Sequence, residues 1–319
     1  MLITIGAFDG FHRGHEELLN ICRCNAYGDN WGVVSFHPHP FEFMNGTNHS
    51  IFTLTERELI RKIIGIPNMY ILRFDDRLRN LKPEEFWKLI RDRFNVDGLV
   101  MGRDFHFGLN RSGNAESLAM LAEHDGIRRI IIADLFNKGT YSSSKIRREI
   151  ISGNVTGAYD ILGYPYFMIS SIIHGNQRGR TMKIPTANLN LTKHHIIPKS
   201  GVYSSAVLVN NEYHCGALSI GNNPTFNDVN ELRAEVHILD FNDDVYDSIL
   251  PVFFLGRVRD IKKFGSKDEL IMQIERDIKE CRRIYDEVMM KEDMKIFFDT
   301  AKRVYDSGKN FIPEIINLI

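Results

Sequence analysis

Two histidines at positions 12 and 15 are the first residues in the sequence whose type and spacing could carry out chemistry. They follow a glycine-bearing turn and begin a helical pattern, so they would lie on one face of a first helical turn. A helix N-terminus attracts phosphate through its unpaired N–H groups and its dipole, and two imidazoles add further donors. We therefore predict a catalytic phosphate site at His12 and His15. The plain alternative is a capped helix with two surface histidines.

The elements that must position this pair are a strand before it and a helix after it. Ile3–Ile5 are typical of a buried strand, and Gly6, Asp9 and Gly10 of a turn. Gly14 has no side chain, so another group can lie against the backbone there. The glycine spacing matches neither G-x-x-x-x-G-K-[ST] nor G-x-G-x-x-G. A metal centre is not predicted, since no third ligand stands nearby at ligand spacing.

Composition limits the classes of protein that this chain can belong to. Its 319 residues are long for one core and suit two domains. Forty basic and 41 acidic side chains leave a formal charge of −1, so we expect no nucleic-acid partner. Four cysteines, none in C-x-x-C, predict reduced thiols. Without a signal peptide or an apolar run of about 18 residues, we expect a cytoplasmic protein with no membrane partner.

The first half of the sequence alternates strand-like and helical patterns. Four stretches after the first strand have the composition of buried strands: Trp31–Phe36, Met69–Phe74, Asp97–Gly102 and Arg129–Ala133. One intervening helix is predicted to start on a capping box at Thr55–Glu58, and another near Pro83. This alternation predicts a parallel sheet. His37 and His39, after the second strand, are compatible both with a place at the nucleotide site and with ordinary loop polar residues.

The second half of the sequence has a period of two, which is typical of strands. Predicted strands lie near Phe167–His174, Val202–Val209, Tyr213–Ile220, Leu232–Leu239 and Ile249–Arg257. Their turn-like connections indicate an antiparallel barrel or sandwich. Helix returns from Ser266 to about Met290 and continues to about Asp306. The predicted parts of the chain are 1–163, 164–282 and a helical extension over 283–319.

Nine motifs, read in order, resemble those of one family, the bacterial bifunctional riboflavin kinase/FMN adenylyltransferase, also called FAD synthetase. Gly6–His15 resembles the H-x-G-H signature of nucleotidyltransferases. The rest of the first half adds Phe36–Pro40, Gly102–Gly108 and Ser142–Arg147. The second half adds His174–Arg180, Ile184–Leu189, Gly201–Tyr203, Asn223–Phe226 and Ala234–His237. The resemblance covers most of the chain, from residue 2 to residue 281.

This resemblance implies both a fold and an enzyme activity. The fold would be a Rossmann-like nucleotidyltransferase domain, with a parallel sheet and helices, then an antiparallel β-barrel riboflavin kinase domain and C-terminal helices. The second domain would phosphorylate riboflavin to FMN with ATP. The first would transfer AMP from ATP to FMN, giving FAD and pyrophosphate. Riboflavin, FMN, FAD and ATP are the implied partners, with Mg²⁺ as the cofactor and ATP as the co-substrate.

The resemblance also implies roles for residues of the first half. His12 and His15 would stabilise the transferring α-phosphate of ATP. Binding of ATP or its phosphates is implied for Gly6, Phe8, Asp9, Gly14, Ser142, Ser143 and Arg147. The last three could equally be a plain helix cap followed by a solvated arginine. Asp104 would contact the flavin or the nucleotide, with a turn aspartate as the alternative.

In the second half, Thr186 and Asn188 would by resemblance bind ATP phosphates and Mg²⁺, for which hydroxyl and amide oxygens are suitable ligands. Strand alternation places Glu235 and His237 on one face, and we expect the carboxylate to point into the barrel. The resemblance makes Glu235 the catalytic base that accepts the proton of the riboflavin 5′-hydroxyl. Pairing of Glu235 with an arginine across the sheet is the alternative.

Some features depart from the family pattern. Lys183 stands where the family usually has glycine, which leaves open whether the kinase half is active. Tyr246–Asp247 replaces the usual Tyr-Gly, which matters only if that turn needs a positive φ. The rival functions are a nucleotidyltransferase for another phosphate monoester with an inactive kinase-like domain, and a flavin-binding regulatory protein. For the C-terminal tail we predict ordinary packing or weak self-association. The apolar residues that would take part are Met289, Met290, Ile296, Phe297 and Phe298.

Overall fold

A computed structural model describes residues 1–46, 50–134, 141–173, 185–192, 195–222, 232–307 and 315–316. The chain divides into two compact units. The first comprises Met1–Ser143 with Asn310–Ile319, and the second comprises Ser144–Lys309. The division at residue 143 precedes the predicted boundary at 163, because two short helices that follow it are assigned to the second unit.

The first unit is built on a six-stranded parallel sheet. In sheet order its strands are β14 (Ile315–Ile316), β3 (Asn68–Arg73), β2 (Trp31–His37), β1 (Leu2–Ile5), β4 (Gly98–Gly102) and β7 (Arg129–Ala133). The chain starts at β1, moves outward through β2 and β3, and then crosses to β4 on the other side of β1. Ligands of open parallel sheets bind at the carboxyl ends of the strands where the order reverses in this way. The predicted Rossmann-like parallel sheet is confirmed.

Helices connect the strands of this sheet. They are α1 (Arg13–Asn25), α2 (Pro40–Asn45), α3 (Leu54–Ile63), α4 (Asp76–Arg79), α5 (Pro83–Phe94) and α6 (Ala115–His124). A ribbon of β5 (His106–Phe107) and β6 (Gly113–Asn114) surrounds the short 3-10 helix Leu109–Arg111. As predicted, Pro83 begins α5, whose apolar face packs into the core with Phe86, Trp87, Ile90 and Phe94. Each such side chain stabilises the fold by roughly 1.5–3 kcal/mol through burial.

The start of α3 differs from the prediction. Thr53 is its N-cap: Thr53 Oγ1 accepts from the Glu56 N–H at 3.4 Å, and the Glu56 carboxylate accepts from the Thr53 N–H at 2.7 Å. The capping box therefore lies two residues before the predicted Thr55–Glu58, and that prediction was wrong. The sequence is compatible with a capping box at either threonine. The buried Ile51 and Phe52 select the earlier one, because they hold the chain in the core just before the helix.

The second unit contains a closed antiparallel barrel, which confirms the predicted β-barrel. Around it run β10 (Gly201–Val209), β11 (Glu212–Asn222), β12 (Leu232–Ile238), β9 (Ala187–Leu189), β8 (Phe167–Ile173) and β13 (Ile249–Arg259). Strand β9 was not predicted, because three residues are too few to show an alternating pattern. It nevertheless closes the barrel, since it pairs with both β12 and β8.

Four helices belong to or begin at the edge of the second unit: α7 (Ser143–Ser152), α8 (Val155–Leu162), α9 (Lys267–Met289) and α10 (Glu292–Ser307). The long helix α9 packs on β10, β11 and β13. Cys281 lies at the centre of that contact, where its carbonyl accepts from Ser204 Oγ at 2.8 Å. Helix α8 packs on β13, which explains why this helix belongs with the barrel.

The tail is not helical throughout, in contrast to the predicted extension over 283–319. Phe297 and Phe298 of α10 are buried against barrel aromatics, so they take part in ordinary packing. Met290 and Ile296 are exposed. Near the end of the chain, Ile315–Ile316 forms β14 and pairs in parallel with the edge strand β3.

Candidate active sites

The turn between β1 and α1 has an unusual backbone. Phe8 and Phe11 have φ angles of +43° and +40°, and Gly10 has a φ of +85°. A left-handed conformation of a bulky residue costs about 1–3 kcal/mol and is concentrated at functional sites. Both phenylalanines are buried, so their packing holds this shape in place. Phe8, which was predicted to bind ATP, is thus a buried residue of the turn.

His12 and His15 lie together at the end of this turn. His12 is the N-cap of α1, and its Nδ1 accepts from the Gly14 N–H at 3.1 Å. Because Nδ1 is an acceptor, a neutral His12 ring carries its proton on Nε2. That nitrogen lies 3.3 Å from Ser143 Oγ. The two imidazole rings stack with centroids 3.8 Å apart, so the structure brings the predicted pair together.

The surroundings of His15 favour its neutral form. Burial first, and then the charges of His12 and Arg57, hold the pKa of His15 well below its usual value of 6.5. Its Nδ1 is buried and has no hydrogen-bond partner among the described residues. The Phe8 ring lies 5.0 Å away, centroid to centroid. A neutral imidazole remains an N–H donor, and such a donor suits a phosphate oxygen.

The space beside Gly14 is filled by the protein itself. A Cβ added at Gly14 would lie 3.0 Å from Cε1 and Nδ1 of His12 and 3.1 Å from Cβ of Tyr141. The sequence predicted that a group would lie against the backbone here. That group is the His12 ring, and the missing side chain is what allows Nδ1 to reach the Gly14 N–H.

Asp9 and Gly6 hold the turn to its neighbours. Asp9 is 1% exposed, and its Oδ1 accepts from the Ile51 N–H at 2.8 Å. This bond ties the turn to the segment before α3. The Gly6 N–H donates to the Val34 carbonyl at 3.1 Å, which extends the pairing of β1 with β2. Both residues were predicted to bind phosphate, and the contacts named here are with the protein's own backbone.

Three other predicted residues lie at or just after the ends of strands of the same sheet. Asp104 is exposed in the turn after β4, the strand next to β1. His37 ends β2, and its peptide bond to Pro38 is cis. His39 caps α2, since its Nδ1 accepts from the Phe41 N–H at 3.1 Å. Local capping therefore accounts for one nitrogen of His39.

The predicted second phosphate loop contributes Ser143 to this site. Ser143 begins α7, and its Oγ donates to the Asp9 carbonyl at 3.4 Å in addition to approaching His12. Ser142 is partly buried one residue earlier. Arg147 lies four residues after Ser143 and therefore on the same face of the helix, within the second unit.

Sequence reasoning missed Arg57. It is 3% exposed in α3 and donates to the carbonyls of Ala7 and Phe36, both at 3.2 Å. The sequence does mark Arg57 as unusual once the first residue of helix α3 is known. Arg57 is the fourth residue of α3, where a hydrophobic residue would usually pack against the residue before the N-cap.

A second group of functional side chains lies on the barrel. Glu235 of β12 stands directly opposite Asn188 of β9. Thr186 Oγ1 donates to Glu235 Oε2 at 3.4 Å. On the other side, Glu235 is paired in register with Ser219 of β11. The three residues predicted for the kinase step are therefore neighbours on one surface.

This surface is the outside of the barrel. Glu235 and His237 share a face as predicted, but Ala234 and Val236 fill the interior, being 1% and 0% exposed. The expectation that the carboxylate points inward was wrong, because the apolar residues of β12 occupy the core. Among the described residues Glu235 makes no ion pair with an arginine, and His237 Nδ1 lies 2.7 Å from the Pro185 carbonyl.

A cavity of about 200 Å³ opens beside Thr186. Its lining includes Pro185, Phe241 and Tyr246. The turn after Tyr246 does use a positive φ, since Asp247 has a φ of +60° where the family usually has glycine. Three kinase-half features lie outside the described residues: His174–Arg180, Lys183 and Asn223–Phe226. The question raised by Lys183 therefore stays open.

The described part of the chain contains no group of three or more His, Cys, Asp or Glu side chains arranged to hold a metal ion. Within the same residues, every helix is too short or too polar to span a bilayer.

Both halves of the chain match models of known families. The family model for FAD synthetase matches residues 1–146, and the model for riboflavin kinase matches residues 162–285. A protein of Listeria monocytogenes called bifunctional riboflavin kinase/FMN adenylyltransferase is 33% identical over 292 residues, covering 89% of this chain and 92% of that protein. A protein of the same name from Bacillus subtilis is 32% identical over 293 residues, with the same coverage of 89% and 92%.

A solved structure has the same fold. It is a crystal structure from Streptococcus pneumoniae, described as a macrolide-efflux protein, with a TM-score of 0.78 and 34% identity. The match covers 88% of this chain and 93% of that one. The description belongs to that protein, and what the two share is the fold of the matched part of the chain. From the two family models and the named relatives, the chain belongs to the family of bifunctional riboflavin kinase/FMN adenylyltransferase enzymes.

Proposed function

We propose that the first unit adenylylates FMN at His12 and His15 and that the second phosphorylates riboflavin at Glu235. The chain is an enzyme with both activities of its family. The observation that carries the assignment of residues is the stacked pair of histidines at the carboxyl end of β1. A separate group on the barrel, Glu235 with Thr186, supports the second site.

In adenylyl transfer, a phosphate oxygen of FMN forms a bond to the α-phosphorus of ATP. The bond from that phosphorus to the bridging oxygen breaks, and pyrophosphate leaves with the electron pair. Such transfer depends mostly on positioning and on stabilisation of charge. His12 and His15 donate from Nε2 to the α-phosphate oxygens, and the N-terminal N–H groups of α1 add to this stabilisation.

Residues around the histidines complete the ATP site in this proposal. Ser142, Ser143 and Arg147 cover the β- and γ-phosphates, supported by the 3.3 Å approach of Ser143 Oγ to His12 Nε2. The turn residues support ATP by shaping the backbone at which its phosphates bind: Gly6, Phe8, Asp9 and Gly14. Asp104, at the carboxyl end of β4, contacts the flavin.

In the kinase step, Glu235 accepts the proton of the riboflavin 5′-hydroxyl while the hydroxyl oxygen forms a bond to the γ-phosphorus of ATP. The bond from that phosphorus to the bridging oxygen breaks, and ADP leaves with the electron pair. Thr186 and Asn188 offer a hydroxyl and an amide oxygen beside the carboxylate, a set of hard oxygen donors that fits Mg²⁺. These two residues would hold the ion together with ATP phosphates. When bound, Mg²⁺ neutralises negative charge on the phosphates.

The substrates, the partners and the cellular location of the enzyme also belong to the proposed function. Riboflavin, FMN, FAD and ATP are its substrates and products, and nucleic acid and membrane have no part in it. We propose a cytoplasmic location, which suits four free thiols. The domain limits 1–163, 164–282 and 283–319 stay a prediction. So does weak self-association of the tail, for which Met290 and Ile296 are the exposed apolar residues.

A two-step turnover assay tests the proposed function. The full chain is incubated with riboflavin, ATP and Mg²⁺, and the flavins are separated over time. We expect FMN to appear before FAD, with one pyrophosphate released per FAD. If FMN is adenylylated but riboflavin is not phosphorylated, the kinase assignment fails. If flavin is retained without consumption of ATP, both catalytic assignments fail and a regulatory binding protein is favoured.

A further inference from the structure

We propose that Arg57 is a positioning residue of the adenylyl-transfer site: its guanidinium fixes the turn that carries the two histidines and places a permanent positive charge on that turn. The inference rests on the function proposed for this site. It adds a residue from α3, an element that contributes none of the side chains assigned above.

The hydrogen bonds of Arg57 join two strand ends. Nη1 donates to the Phe36 carbonyl at 3.2 Å and Nη2 to the Ala7 carbonyl at 3.2 Å. Nη2 also donates to Ser35 Oγ, which in turn donates to the Ala7 carbonyl at 2.7 Å. Ala7 lies in the turn after β1, and the other two acceptors lie in β2. The Arg57 side chain therefore fixes the start of the turn after β1 relative to the end of β2.

A charge at this place is costly for the fold. Arg57 is 3% exposed, and its Nε is buried without a hydrogen-bond partner among the described residues. Burial lowers the pKa of Arg57, while the nearby negative charge of Asp9 raises it, and a guanidinium remains protonated in proteins. Asp9 is itself buried and bonded to the Ile51 N–H. A buried guanidinium that an apolar side chain could replace in the helix pattern indicates a functional reason.

The charge acts on His15. Burial is the main cause of the lowered pKa of His15, and the charges of His12 at the start of α1 and of Arg57 from α3 add to it by opposing a second proton on the ring. Asp9, on the turn, acts on Arg57 instead. Because Nδ1 of His15 is buried without an acceptor, the single proton of the ring is better placed on Nε2. Arg57 therefore adds to burial in keeping His15 a neutral N–H donor.

Two variants of Arg57 separate its charge from its geometry. Arg57→Met removes both, and Arg57→Lys keeps the charge but not the three-way bonding. Arg61→Met is the matched control, since Arg61 lies in the same helix and donates to the carbonyls of Ile66 and Pro67. We would measure FAD formation from FMN, FMN formation from riboflavin, and the titration of His15 by NMR of its ring carbon, assigned with His15→Gln.

We expect Arg57→Met to slow FAD formation by about a hundredfold, leave FMN formation unchanged and move the His15 titration to higher pH. Arg57→Lys should slow FAD formation by about tenfold with the titration of His15 unmoved, and Arg61→Met should change neither measurement. A folded Arg57→Met with wild-type FAD formation, or with an unmoved His15 titration, would overturn the inference.

The remaining outcomes are also decisive. If Arg57→Met does not fold, Arg57→Lys decides the matter: wild-type FAD formation in that variant overturns the positioning role. If Arg61→Met slows FAD formation as much as Arg57→Met does, the effect comes from general disruption of helix α3, and the inference fails. If His15→Gln itself retains full FAD formation, the proposed function of the histidines fails, whatever Arg57 does.

Discussion

The rings of His12 and His15 stack with their centroids 3.8 Å apart and their planes inclined by 19°. Two charged imidazoles at this distance would repel each other strongly, so the arrangement suits rings that are not both protonated. The lowered pKa of His15 agrees with this. In the proposed mechanism, the stacked pair presents donors, rather than bases, at the helix N-terminus.

Replacing either histidine should separate the two activities. His12→Ala or His15→Ala should lower FAD formation from FMN by at least about a hundredfold, because each removes a donor to the transferring phosphate. FMN formation should stay nearly intact, since the residues proposed for that step lie on the barrel. The two steps are measured separately, starting from FMN and from riboflavin. His124→Ala, at a side chain that is 88% exposed, is the control. Equal loss of both activities would contradict separate sites.

Gly14→Ala should impair the same step without removing a functional group. The added methyl would meet the His12 ring at 3.0 Å and would push Nδ1 away from the Gly14 N–H. We expect FAD formation to fall by about 10–100-fold, since misplacing a catalytic group by about 1 Å costs on that order. Gly265→Ala is the matched control, because its methyl would be 3.4 Å from its nearest neighbour. Wild-type kinetics of Gly14→Ala would refute the account of the His12 cap.

Glu235→Gln should have the converse effect. The amide keeps the shape of the side chain but cannot accept the proton of the 5′-hydroxyl, so FMN formation should fall by about 10²–10⁴-fold. Adenylylation of added FMN should continue at the wild-type rate. Glu212→Gln, at an exposed position of β11, serves as the control. A fully active Glu235→Gln would show that this carboxylate is not the base.

The stability of the first unit should fall at acidic pH. The pKa of His15 is lowered in the folded state, so below about pH 6.5 the unfolded chain binds a proton that the folded chain does not. Each pH unit below that value should cost up to about 1.4 kcal/mol, until the folded pKa is reached. Urea unfolding followed by tryptophan fluorescence measures this, because both tryptophans, Trp31 and Trp87, lie in the first unit.

Two variants test whether His15 causes this pH dependence of stability. His15→Gln should flatten it between pH 7.5 and pH 5.5, whereas His124→Gln should leave it unchanged. The first variant cannot gain a proton on unfolding, and the second removes an imidazole that is already exposed to solvent in the folded state. A slope in His15→Gln equal to that of the wild type would assign the effect to other groups.

Asp247→Gly should stabilise the second unit. Asp247 has a φ of +60°, where glycine avoids the strain of a side chain. The net gain in the free energy of unfolding should be about 0.5–1 kcal/mol, read by calorimetry as a higher melting temperature. Asp243→Gly, in the same connection but outside the left-handed region, should instead be neutral or destabilising. A lower melting temperature for Asp247→Gly would show that the aspartate side chain stabilises the turn.

Local patterns alone determined much of this protein. The strand, turn and helix around His12 and His15 follow from the identity of their own residues, because a helix N-terminus and a glycine turn are set by near neighbours in sequence. The alternation in the first half and the period of two in the second gave the parallel sheet and the barrel for the same reason. The shared face of Glu235 and His237 was equally local.

The tertiary structure decided which of several locally acceptable arrangements is used. Packing of Ile51 and Phe52 selected the capping frame of α3, and with it the burial of Arg57. Filling of the barrel by Ala234 and Val236 turned Glu235 outward. These choices depend on contacts between residues far apart in the chain, and a sequence pattern encodes the faces of an element but not the partner that each face will meet.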